Sequence, residues 1–99
     1  MHYYLTEDAV ADLQNGVRWY NNQQAGLGKR FYSTAVNSIK EIAKRPLSAA
    51  LRYDEVRCYP VKKFPYMIHF LIHENSMIVL GVINTALNPE TNWRMPSEG

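Results

Sequence analysis

Cys58 is the only cysteine in 99 residues. That excludes an internal disulfide and fits a reducing, cytoplasmic setting. No Cys/His cluster has the spacing of a zinc site, so no metal or cofactor is expected. No apolar run approaches the roughly 20 residues that cross a bilayer, so no membrane association is expected. The opening MHYYLTED lacks the basic, apolar, small-residue series of a signal peptide. Repeats, low-complexity tracts and linker-like stretches are missing too. Residues 1–95 are expected to form one domain, with 96–99 as a loose tail. With 46% hydrophobic and 20% charged residues, the composition suits a folded globule rather than a disordered chain.

The charge that is present is unevenly placed. The net value is +2. Between residues 29 and 63 stand nine basic groups: Lys29, Arg30, Lys40, Lys44, Arg45, Arg52, Arg57, Lys62 and Lys63. Only Glu41, Asp54 and Glu55 oppose them, so this span is +6 and each flank is −2. Such a patch attracts an acidic partner or a phosphate backbone. It also reads as a solvated helix face with loop lysines.

The central feature is the stretch Phe64–Trp93. Period-two spacing puts Phe64, Tyr66, Ile68, Phe70 and Ile72 on one face of a strand, and Pro65, Met67, His69, Leu71 and His73 on the other. His73-Glu74-Asn75-Ser76 is a turn, and Met77–Ile83 is the return strand. Ahead of this hairpin, His2–Leu5 reads as an edge strand. Thr6 caps a helix whose stripe is Val10, Leu13, Val17 and Tyr20. A second helix runs from about Gly28 to Arg45, with Leu27, Phe31, Ala35, Ile39 and Ile42 as its stripe and Pro46 as its stop. Arg52–Tyr59 reads as one further strand, with Val56 and Cys58 toward the core. The expected architecture is α+β: a helical hairpin packed on one face of a small, mainly antiparallel sheet, in the order β-α-α-β-β-β.

On this reading the face away from the helices collects Tyr53, Arg57, Tyr59, Met67, His69 and His73, with Lys62 and Lys63 at its edge. These residue types suit RNA or phosphate. Metal-free RNA cleavage needs a base for the 2′-hydroxyl, an acid for the leaving oxygen and a cation for the phosphate. His69 would be the base, Tyr59 or His73 the acid, and Arg57 or Lys63 the anchor. The plainer alternative stays open: a histidine on a half-exposed strand and tyrosines in a sheet need no function. Tyr66 belongs to the apolar face with its hydroxyl at the rim. Trp93 is either a lid on the core or a contact residue.

The ordered set WYNNQQAGLGKRF, Val56-Arg57, KFPYMIHFLI at Lys63–Ile72, IVLGVINT at Ile78–Thr85 and NPETNW at Asn88–Trp93 resembles the RelE/ParE toxin superfamily. These are toxins of type II toxin–antitoxin, or plasmid-stabilisation, modules. The resemblance spans nearly the whole chain. It implies a cytoplasmic bacterial toxin neutralised by a cognate antitoxin that folds on binding. It also implies one of two activities: RelE-like cleavage of mRNA on the ribosome, or ParE-like inhibition of DNA gyrase without a catalytic constellation. Gly26-Leu27-Gly28 and Phe64-Pro65-Tyr66 look ParE-like. Met67 stands where the nucleases usually carry an arginine. Asn84-Thr85-Ala86-Leu87 stands where a His-x-x-Arg or Arg-Arg element is usual. Their missing cations weaken the nuclease expectation and leave room for a degenerate toxin that only binds its antitoxin. Arg57, Tyr66 and Trp93 match positions that recur in the family. Toxins of this shape occur as monomers or as homodimers paired through an exposed edge strand, here His2–Leu5.

Overall fold

A computed structural model of the chain describes residues 1–86. The expectations for Leu87, for Trp93 and for the tail at 96–99 lie outside the described residues. The elements are β1 (His2–Leu5), α1 (Glu7–Gln23), α2 (Leu27–Ala43), a short 3-10 turn (Pro46–Ser48), β2 (Ala50–Tyr53), β3 (Val56–Pro60), β4 (Tyr66–His73) and β5 (Ser76–Asn84). The strands form one sheet in the order β1-β5-β4-β3-β2. β1 runs parallel to β5, and every other neighbouring pair is antiparallel.

Each helix begins where its sequence dictates. The Thr6 hydroxyl accepts from Ala9 N at 3.2 Å and caps α1, with Glu7 and Asp8 in the favourable first turn. The buried stripe of α1 is Ala9, Leu13, Gly16 and Tyr20, one step round from the expected one, so Val10 is exposed. The Gly-Leu-Gly stretch has a mechanical reason. Gly26 adopts a left-handed φ of 87°, which turns the chain between the helices. Gly28 packs against α1 so closely that an added Cβ would stand 2.4 Å from Val17 O. Asn21 Oδ1 accepts from Gly28 N at 2.8 Å, satisfying one of the open donors of α2.

The two helices cover one sheet face. Between them and the sheet lie Phe31, Ile39, Ile68, Phe70, Met77 and Val79, each fully buried. Each contributes roughly 1.5–3 kcal/mol through burial. Tyr20, Phe31, Phe64 and Tyr66 form an aromatic cluster at one end, with centroids 4.7–6.2 Å apart. Burial there raises the Tyr20 hydroxyl pKa, helped by the neighbouring Tyr66.

The central hairpin matches the expectation, down to Glu74 and Asn75 in left-handed conformation (φ 48° and 63°), as a two-residue turn of matching twist requires. It also carries a bulge. His69 faces Gly81 and Phe70 faces Val79, so Leu80 is an extra residue on β5. The start of α1 fastens this irregularity: the Thr6 hydroxyl donates to Leu80 O at 3.2 Å, and Asp12 Oδ2 accepts from Val82 N at 2.9 Å.

One expected strand is two. Arg52–Tyr59 breaks at Asp54, whose φ of 46° makes a tight turn with Glu55, and Tyr53 faces Val56 across it. This hairpin extends the sheet to five strands.

Candidate functional site

Cross-strand register decides which side chains share a face, because directly opposed residues project to the same side. Tyr59 opposes Ile68, which opposes Val82; Arg57 opposes Phe70, which opposes Val79. Those partners are core residues beneath the helices, and Tyr59 itself packs on that core. Arg57 and Tyr59 therefore project to the helix side. His69 opposes Cys58, which opposes Ala50, on the other side. The expectation that Arg57, Tyr59 and His69 share the open face is corrected; Val56 and Cys58 are buried as expected, but on the side away from the helices. The reason is physical: β3 buries Val56 and Cys58 on the face away from the helices and half-buries Arg57 and Tyr59 on the helix face, so apolar alternation does not reveal which face the helices cover.

On the open side, His69 is buried rather than half-exposed, at 5% accessibility. The Tyr53 hydroxyl stands 3.4 Å from its Nδ1, a long hydrogen bond, and the rings lie 6.1 Å apart. Burial raises the pKa of the neighbouring Cys58 thiol, an effect that the charge of Arg52 partly offsets. That is opposite to the shift that activates a nucleophilic cysteine. His73 sits at the far hairpin end, exposed, 3.8 Å from Glu74.

Arg57 is occupied. Its Nη1 donates to Ala49 O at 2.6 Å and to Leu47 O at 3.3 Å, pinning the segment that leads from the 3-10 turn into β2. Tyr66 is core, as expected from the apolar face.

Tyr59, Lys62 and Lys63 meet instead in a cleft of ≈ 550 Å³ between α2 and the β3–β4 connection. Thr34, Asn37, Ser38 and Glu41 of α2 form its other wall. These four lie at helical spacing, so their shared stripe was readable in the sequence, where only the apolar stripe of α2 drew notice. The lysine-bearing turn is held at both ends. Val61 N donates to Tyr66 O at 2.9 Å, and the buried Ser38 hydroxyl accepts from Lys62 N at 3.4 Å while donating to Thr34 O at 2.9 Å. Lys63 has a φ of 66°, a conformation lysine seldom adopts. Among the described residues the one ion pair within 4 Å is His73–Glu74, so neither lysine is paired with Glu41. No group of three or more His, Cys, Asp or Glu able to hold a metal occurs among the described residues. No helix of the described residues is long and apolar enough to cross a membrane.

No protein-family model and no curated protein matches this chain. A chain of the chromosomal ParDE TA system from P. aeruginosa shares its fold, with a TM-score of 0.76 and 17% identity. The match covers 83% of this chain and 92% of that one. The fold implied by the resemblance to RelE/ParE toxins is thus the fold observed; activity must be argued from the residues.

Proposed function

We propose that this chain is the toxin of a type II toxin–antitoxin pair, held in check by a cognate antitoxin in the cytoplasm, and that it acts in the ParE manner, by binding DNA gyrase. The fold shared with a ParDE chain supports the toxin reading. The choice of branch rests on one observation: the sheet separates the groups an RNA-cleaving site would need to combine. His69 is buried on one side, while Arg57 and Tyr59 are on the other and Arg57 is tied to two carbonyls. A base and a phosphate-holding cation on opposite faces cannot serve one phosphodiester. Protein binding has no such requirement.

Short induction in a bacterium lacking the antitoxin, with thymidine and amino-acid incorporation followed together, tests this reading. Thymidine incorporation is expected to fall first. An earlier fall in amino-acid incorporation would favour the RelE-like ribosome-dependent endoribonuclease and overturn the gyrase reading. If neither fell while folded protein accumulated, the chain would be a degenerate toxin retaining antitoxin binding.

A further inference from the structure

The cleft between α2 and the β3–β4 turn is lined by polar and charged side chains that the fold does not use. Asn37, Glu41, Lys62 and Lys63 are exposed, and none of their side chains makes a hydrogen bond or ion pair to the described residues. The hydroxyl of Tyr59, half-buried, also has no partner among the described residues. Donors and acceptors of both kinds therefore line one ≈ 550 Å³ space. The backbone beneath them is fixed by the hydrogen bonds from Lys62 N to Ser38 and from Val61 N to Tyr66. Lys63 is held in a left-handed conformation that a glycine would adopt more easily. Such strain persists where the surroundings over-determine it, and it commonly marks a binding site.

We infer that this cleft receives an extended acidic peptide segment of a partner protein. An acidic side chain of the segment meets the Lys62 and Lys63 ammoniums, while its backbone N–H and C=O groups meet Glu41, Asn37 and the Tyr59 hydroxyl. Two features favour a peptide over a nucleic acid. Glu41 places a carboxylate in the same cleft, which repels a phosphate backbone but accepts a peptide N–H. The cleft also lacks an exposed aromatic platform, because Tyr59 leans on the core, so bases have nothing to stack on. Lys62 and Lys63 set two positive charges in the cleft against the single carboxylate of Glu41, a balance that favours an acidic segment. Assigning that segment to the antitoxin rests on the toxin reading; the chemistry of the cleft does not.

A random peptide library displayed on phage and panned against the immobilised full chain is the test. Enriched peptides are expected to be rich in Asp and Glu. Their affinity is expected to fall about tenfold in a chain carrying Lys62→Ala and Lys63→Gly, and to weaken as salt is raised. Amide shifts of Asn37, Glu41, Lys62 and Lys63 in the labelled protein, on addition of an enriched peptide, place the contact. Lys63→Gly relieves the left-handed backbone, so a melting temperature that does not fall separates lost binding from lost folding. Failure to enrich acidic peptides, or enrichment indifferent to both lysines, would overturn the inference. So would cleft shifts produced by a polyuridine oligomer and not by the peptides. Each of these results leaves the gyrase assay free to succeed, so the two readings fail separately.

Discussion

The two faces of the sheet use similar residue types in different ways. On the helix side, Tyr59, Lys62 and Lys63 surround an open cleft, and Arg57 pins a loop beside it. On the opposite side, Cys58 and His69 are buried, with Tyr53 half-buried against His69. The residues that look most like chemistry, a histidine with a tyrosine, are the less accessible ones. The residues that look like ordinary surface charge are poised for a partner. Proximity in sequence misleads here, because adjacent strand residues project to opposite faces.

Breaking the helix side is expected to have the largest effect. In Gly28→Ala the new Cβ would meet Val17 O, a backbone atom that cannot move aside. A loss of about 3 kcal/mol is expected, read as a drop in urea midpoint. Asp12→Ala comes next. It leaves Val82 N–H at the bulge without its carboxylate, at a cost of about 2 kcal/mol by the same measurement. Arg57→Ala comes third. It frees the Leu47 and Ala49 carbonyls and is expected to cost about 1 kcal/mol, with toxicity falling no further than the lost stability explains. A large loss of toxicity at full stability would restore Arg57 as a contact residue.

The open side should respond less. Tyr53→Phe removes a long hydrogen bond to His69 and is expected to cost under about 1 kcal/mol. The smallest effect belongs to Lys63→Gly. It exchanges a left-handed lysine for the residue that tolerates that backbone, so thermal stability should hold or rise by up to about 1 kcal/mol.

Much of the fold was legible. Both helices followed from apolar spacing, and the central hairpin from alternation and a turn of residues that tolerate left-handed backbone. The hairpin of β2 and β3 was not, because its turn at Asp54-Glu55 carries no glycine or proline to announce it. The bulge at Leu80 was hidden as well: its polar groups are satisfied by Thr6 and Asp12, far away in sequence. The candidate site suffered most. Tyr59, Lys62 and Lys63 were picked out by residue type, but their face depended on β3, whose alternation fits either side. Their partners Thr34, Asn37 and Glu41 lie on the polar stripe of a helix read for its apolar one.

The most direct test mixes the purified full chain with DNA gyrase, ATP and supercoiled plasmid, then counts linear plasmid after detergent and protease treatment. Linear DNA is expected to rise with the amount of protein and to be suppressed by the antitoxin. His69→Ala, if it folds, should be as effective as the parent chain. Unchanged gyrase at large protein excess, alongside mRNA cut on translating ribosomes, would contradict the gyrase reading.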